Sequence, residues 1–194
     1  MTRRRARFRL PPPPRGLSPR ARTLYLFVAA VVSGIATLSI PMCPLADSTG
    51  RPLWRVETVH DGDTVTCLDE HGQPKRIRLL GIDAPEHGQP YGDAARRALA
   101  QKLNAGVVRV EGDAIDQYGR LLGTLWLDDR NLNLELVAEG WAWAFGGFAP
   151  DEVLEAAESD ARADRRGLWG GGAPPVAPRD WRAAHPRSQG GQER

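Results

Sequence analysis

The stretch Asp61–Glu86, DGDTVTCLDEHGQPKRIRLLGIDAPE, decides the fold. Thr64–Leu68 reads as a strand, entered from the hairpin-turn dipeptide Asp61-Gly62 and left through His71-Gly72. Arg76–Ile82 is apolar at alternate positions, Ile77 and Leu79, and forms a further strand that Ala84-Pro85 ends, because proline cannot continue a ladder. Upstream, Leu53–His60 alternates as the first strand of the set. Downstream, Asp93 is placed to cap a helix whose apolar face is Ala95, Leu99 and Leu103, closed by Asn104 and Gly106. Val107–Gly112 and Arg120–Leu127 are two more strands, separated by a turn at Asp116–Gly119. A short helix with Leu132, Leu136 and Val137 stops at Gly140, and a last helix runs from Asp151 to Arg166 with a Glu158–Arg162 pair and Gly167 past its end. Five strands with one helix between the third and fourth predict a mainly β domain with helices (α+β), a five-stranded OB-fold barrel with about three packed helices.

The whole chain has 194 residues, room for one ordinary domain and some extra length. Two cysteines, Cys43 and Cys67, exclude a disulfide-built miniprotein and a four-cysteine zinc site. The four histidines have no metal-ligand spacing, which argues against a zinc hydrolase. Net charge is +2, but it divides unevenly along the chain. Residues 1–50 carry eight arginines against one acid, and residues 51–170 carry 14 basic against 21 acidic residues. Bulk basicity therefore belongs to the leader, not to the folded part.

These shifts divide the chain into a basic leader (1–23), an apolar anchor or signal segment (24–42), a linker (43–51), the barrel domain (52–169) and a tail (170–194). The uncharged run Leu24–Ile40, LYLFVAAVVSGIATLSI, would extend about 26 Å as a helix, at the lower limit for spanning a membrane. The arginine-rich flank would remain cytoplasmic, which predicts a single-pass protein of the cell membrane with its domain outside. The competing reading is a cleaved signal and a secreted or periplasmic product. The tail is rich in Gly, Pro, Ala and Arg, has Trp181 as its only large apolar residue, and reads as disordered.

Charge collects where strands meet turns: in Asp61-Gly62-Asp63-Thr64, in Arg78–Glu86 and in Asp116–Arg120. Singly, each segment is explained as a turn. Jointly they are harder to explain that way, because Arg78 lies on a mostly apolar strand and a barrel-lining arginine needs an anion to face. Asp63 and Asp83 end separate strands, so their carboxylates can converge on one hard cation, Ca²⁺ or Mg²⁺ rather than zinc. Two arginines, a further carboxylate and such an ion suit phosphodiester hydrolysis: the carboxylate orients or activates water, and the cations neutralise charge building on phosphorus oxygens.

These motifs, with Gln89–Ala95, Asn133–Gly140 and Arg165-Arg166-Gly167-Leu168-Trp169, resemble in order and spacing the thermonuclease family of staphylococcal-nuclease-like domains. The resemblance implies a five-stranded OB-type barrel that cleaves DNA and RNA, usually with Ca²⁺, leaving 3′-phosphate ends. It places the catalytic roles on Arg78, Glu86 and Arg120, the calcium ligands on Asp63, Asp83 and the carbonyl of Ala84, and a phosphate contact on Tyr118. Gln117 stands where a basic neighbour is common, and the base-facing tyrosines expected after Gly140 are absent or shifted. Trp143, Phe145 and Phe148 either stack on a base or belong to the core.

The expected function is thus an exported or membrane-anchored Ca²⁺-dependent nuclease, a monomer acting on single-stranded or frayed DNA and RNA, with no protein partner evident. Lys102 and Arg97 are candidate outer phosphate contacts. A non-catalytic OB-fold nucleic-acid-binding module at the cell envelope is the alternative.

Overall fold

Alternation of inward and outward residues builds the barrel wall. The structure, a computed structural model, describes Ser18, Ala46, Asp47, residues 50–147 and residues 151–186. Strands β1 (Trp54–Val59), β2 (Thr64–Leu68) and β3 (Pro74–Leu79) form an antiparallel meander. Val65, Cys67, Ile77 and Leu79 face inward and are buried, at the positions that period-two alternation assigns to one side of a sheet. β5 (Val107–Glu111) pairs antiparallel with β1 and with β6 (Leu121–Leu127). A parallel contact between β3 and β6, with Ile77 opposite Leu121 and Arg78 opposite Leu122, closes the ring. The order β1-β2-β3-β6-β5 returns to β1, so the described residues form the expected five-stranded closed barrel. β7 (Arg130–Asn131) extends the β6 edge.

The expected strand Arg76–Ile82 is divided. β3 ends at Leu79, Gly81 takes φ 77°, and Ile82–Asp83 leave the barrel as β4 to pair with β8 (Trp143–Ala144). Glycine adopts that left-handed backbone without a Cβ clash, so the chain can turn there and present Asp83 at the barrel lip.

Helix α1 (Gly92–Lys102) packs Ala95, Ala98 and Leu99 into the core. Its cap is not Asp93: Tyr91 occupies that position at φ 70° with no side-chain cap, while Asp93 lies in the first turn, where its charge opposes the helix dipole. The chain leaves through a 3-10 turn at Leu103–Ala105 and Gly106 at φ 77°. α2 (Leu132–Ala138) is capped by Asn131, and α3 (Glu152–Ala163) by Asp151, whose carboxylate accepts from the Val153 and Leu154 N–H groups at 3.0 and 3.2 Å. α3 stops at Ala163, short of the expected Arg166, although the Glu158–Arg162 pair forms, with Nε to Oε1 at 2.9 Å.

Two further expectations are corrected. The tail is not disordered over its described part: Pro178–Ala184 form helix α4, with proline in the first turn, where its missing N–H costs nothing. The single-pass membrane placement is also corrected, because among the described residues no helix is long and apolar enough to cross a membrane. The longest, α3, has 12 residues, about 18 Å at 1.5 Å per residue against a hydrocarbon core of about 30 Å. Residues 24–42, on which that expectation rests, lie outside the described residues, as does Phe148.

Candidate active site at the barrel lip

Asp63 ends the loop from β1 to β2. Its N–H donates to Asp61 Oδ1 at 3.0 Å, and its carbonyl accepts from Leu79 N–H at 2.8 Å, which stitches the loop to β3. Gly62 makes that course possible: a Cβ there would lie 2.7 Å from the Ala84 Cβ and 2.8 Å from the Ala95 Cβ. The Asp63 carboxylate accepts from the Thr64 hydroxyl at 3.0 Å, from Ala84 N–H at 2.7 Å and from Arg78 at 2.9 Å. Burial pushes its carboxyl up to about 8, against the Arg78 charge and the Ala84 N–H, with Asp61 and Asp83 adding to the rise.

Arg78 lies between the inward residues Ile77 and Leu79 and so leaves the opposite side of β3. Its side chain is only 15% exposed. Nη1 donates to the carbonyls of Ile82 at 2.8 Å and Leu79 at 3.2 Å, and Nη2 to Asp83 Oδ1 at 2.8 Å. This guanidinium therefore joins Asp63 to Asp83: the two carboxylates meet on Arg78. Ala84 is buried between them and contributes its N–H to Asp63.

Glu86 follows Pro85 at the outer edge of the same network. Its N–H donates to Gln89 Oε1 at 2.9 Å, and its carboxylate accepts from Arg182 Nη1 at 2.7 Å. Arg182, on α4, also reaches Asp83 Oδ2 at 2.9 Å and Oδ1 at 3.3 Å. Buried Gln89 fastens the same segment, donating from Nε2 to the Val176 carbonyl at 2.7 Å. Neither Arg182 nor Gln89 was singled out as a site residue from sequence. The readable signals were Pro178 followed by Asp180, a helix start, and three acids facing one arginine at the lip.

Arg120 and Tyr118 form a second cluster on the turn before β6. Asp116 Oδ1 accepts from the N–H groups of Tyr118 at 2.8 Å and Arg120 at 2.9 Å, and Oδ2 accepts from Arg120 Nε at 2.7 Å. Burial opposes the ionised form of Asp116, but the Arg120 N–H and guanidinium outweigh it and hold the carboxyl below its ordinary range. Gly119 at φ 77° completes the turn. Tyr118 is 72% exposed, with the Arg120 guanidinium 5.4 Å from its ring centre. The β3–β6 register sets Arg120 two positions before Leu122, the partner of Arg78.

Among the described residues no group of three His, Cys, Asp or Glu side chains is arranged to hold a metal ion. The lip offers two buried carboxylates, both turned toward cationic groups. That donor set fits a hard, oxygen-seeking cation, with the Arg182 guanidinium standing where positive charge is wanted. The aromatic alternatives separate: Trp143 is buried against Trp169, edge to face at 5.3 Å, and belongs to the core, while Phe145 is 43% exposed. Lys102, a candidate outer phosphate contact, is held by Glu135 and Glu139, with Nζ at 2.8 and 2.6 Å.

Residues 76–171 match the family model described as staphylococcal nuclease homologue. The match includes Arg78, Asp83, Ala84, Glu86, Tyr118 and Arg120; Asp63 precedes it and Arg182 follows it. The chain is 36% identical over 166 residues to the micrococcal nuclease of Shigella flexneri, covering 80% of this chain and 88% of that protein. It is 35% identical over 128 residues to an uncharacterized endonuclease of Haemophilus influenzae, covering 66% of this chain and 71% of that protein. With the thermonuclease of Staphylococcus intermedius it shares 36% identity over 126 residues, 59% of this chain and 74% of that protein. A closed OB barrel, the arginines at its lip and relatives matched over more than two thirds of their length make one assignment: the chain belongs to the staphylococcal nuclease homologue family.

Proposed function

We propose that this protein is a Ca²⁺-dependent nuclease that hydrolyses phosphodiester bonds of DNA and RNA and leaves 3′-phosphate ends. Nuclease function at the coarse level is what its relatives support, and the lip supplies the residues for it. The observation that carries the reading is the single network of Arg78, Asp63, Asp83 and, through Arg182, Glu86 at the mouth of a nucleic-acid-binding type of barrel. Glu86, at the outer edge, takes a proton from water or orients it toward phosphorus. The water oxygen then bonds to phosphorus as the bond to the 5′ oxygen breaks, and the 5′ oxygen takes a proton from solvent. Arg78, rigid because carbonyls and carboxylates hold it, and Arg120, presented by its turn, stabilise the charge developing on the phosphoryl oxygens without reorganising. Tyr118, exposed beside Arg120, contacts a substrate phosphate. Ca²⁺ would be held by the carboxylates of Asp63 and Asp83 and the carbonyl of Ala84, and would add positive charge beside the phosphoryl group.

The test is degradation of denatured DNA with Ca²⁺, comparing the native protein with Glu86→Gln. The variant should keep its fold and lose at least about 100-fold in kcat. Near-full activity removes Glu86 from the mechanism. Full activity in excess EGTA removes calcium. DNA binding without hydrolysis by the native protein returns the non-catalytic binding module.

A further inference from the structure

We propose that the C-terminal segment, residues 171–186, is a strap in which Arg182 competes with the divalent cation for Asp83, so that docking of α4 and cation binding oppose one another. The proposal rests on the calcium reading above. Three carboxylates, Asp63, Asp83 and Glu86, meet two guanidiniums at the lip, Arg78 and Arg182. The two guanidiniums are held very differently. Arg78 comes from within the barrel wall, is 15% exposed, and is fixed by two backbone carbonyls as well as by both aspartates. Arg182 arrives from outside the family match, is 42% exposed, and has both of its terminal nitrogens on site carboxylates.

With Arg182 in place, the Asp83 carboxylate is occupied on both oxygens, by Arg78 on Oδ1 and by Arg182 on Oδ2 and Oδ1. A cation binding there must displace one guanidinium, and Arg182 is the one that can leave. Its departure also leaves Asp83 and Glu86 without the positive charge it brings, which a divalent ion can supply.

The strap is built to come away. α4 has seven residues, too few to be a stable helix alone, so its order depends on its docking. That docking consists of the Arg182 contacts, the Gln89–Val176 hydrogen bond at 2.7 Å, buried Pro178, and Gly171 lying against the Tyr91 hydroxyl, where no Cβ would fit. Gln89 also accepts from the Glu86 N–H, so the strap is tied to the loop that carries the proposed base.

The experiment is calorimetric titration of the full chain with CaCl₂ alone, without nucleic acid, for the native protein, Arg182→Gln and Arg179→Gln. Arg179 is 82% exposed and its partner is the adjacent Asp180, so its loss changes net charge equally while leaving the lip untouched. For a strap docked about 90% of the time, Arg182→Gln should bind Ca²⁺ about tenfold more tightly than the native protein. Arg179→Gln should stay within about twofold, since a screened surface charge acts weakly. Hydrogen exchange at the Trp181 and His185 amides, which close α4 onto Ala177 and Trp181, should quicken when Ca²⁺ is added to the native protein. Equal affinities for native protein and Arg182→Gln overturn the competition and leave the calcium reading standing. An equal gain from Arg179→Gln overturns it as a bulk-charge effect. Absence of binding by all three proteins overturns both readings.

Discussion

The barrel lip and the Asp116–Arg120 turn each present one arginine to the same proposed substrate, but they hold it in opposite ways. Arg78 is locked by two carboxylates and two carbonyls from three separate segments, whereas Arg120 is held by Asp116, four residues away in its own turn. The lip is therefore tertiary structure, and its charges are part of what the fold must bury. The turn is local structure, built by an Asp accepting from N–H groups two and four residues on, with little consequence for the core. Chemistry and stability are coupled in the first region and separate in the second.

The largest effects test that contrast directly. Arg78→Gln and Arg120→Gln should each lower kcat by about 10²–10³, the usual cost of losing one donor to transition-state charge. Arg78→Gln should also lose about 3–5 kcal/mol of stability to urea unfolding, because it takes the charge partner from buried Asp63 and leaves buried Asp83 only Arg182. Arg120→Gln should lose no more than about 1 kcal/mol, since Asp116 is left near the surface. Comparable unfolding midpoints for the two variants would erase the distinction.

A smaller effect lies beneath the lip. Asn133, 2% exposed, accepts from Leu125 N–H at 3.1 Å and donates to the Leu80 carbonyl at 2.9 Å and the Gly123 carbonyl at 3.3 Å. Asn133→Ala should cost about 1–3 kcal/mol by leaving buried backbone groups unsatisfied. A change below about 0.5 kcal/mol would show that water replaces the amide there.

Stability should respond to pH with opposite sign in the two regions. The Asp63 carboxyl is raised from 3.8 to about 8, so the folded state binds more protons than the unfolded state between those values. In metal-free buffer its contribution is full below pH 4 and declines as pH climbs toward 8. The Asp116 carboxyl is lowered from 3.8, so its contribution is present above that value and is lost as pH falls below it. Asp63→Asn should flatten the melting temperature between pH 4 and 8, and Asp116→Asn should flatten it below 4. The same slope in Asp63→Asn as in the native protein would remove Asp63 as the source.

The smallest effect is on salt dependence. With the domain's acids outnumbering its basic residues and Lys102 taken up by Glu135 and Glu139, the residues proposed for phosphate are Arg78 and Arg120, with Arg97 as an outer contact. Binding of single-stranded DNA at saturating Ca²⁺ should follow a log–log salt slope of about −1.4 to −2. A slope steeper than about −4 would reveal a basic track that neither region contains.

Most of the barrel was legible because its punctuation is local. Asp61-Gly62, His71-Gly72 and Asp116–Gly119 mark turns by their own chemistry, and Ile77 and Leu79 declare a face by alternation. What eluded the sequence depends on distant partners. The Tyr91 cap resists reading because a tyrosine at φ 70° is unfavourable in isolation and Asp93 is the better cap by propensity. The split at Gly81 depends on β8 being available 60 residues later to pair with Ile82 and Asp83. α4 has no apolar period at all; it is ordered by Arg182 and by Gln89, which lies 87 positions from Val176. Asp63, Arg78 and Asp83 stood out in the sequence as charge placed where strands meet turns, whereas the roles proposed for Glu86, Arg120 and Tyr118 come from the family resemblance. The arginine that covers them was not, because nothing within the tail shows what it covers.

The parallel seam between β3 and β6 joins Ile77 to Leu121, 44 positions apart; Arg78 sits on it and Arg120 immediately precedes it. Closing so long a loop has an entropic cost before any contact repays it, so this seam and the β1–β5 pairing, Trp54 with Val108, should form after the local hairpins. A refolding chain should regain its hairpins and helices first and its hydrolytic power last. We expect activity to return with the slowest refolding phase rather than with far-ultraviolet circular dichroism. A freshly synthesised chain should then leave the nucleic acid around it uncut until its barrel shuts, an expected consequence of strand order.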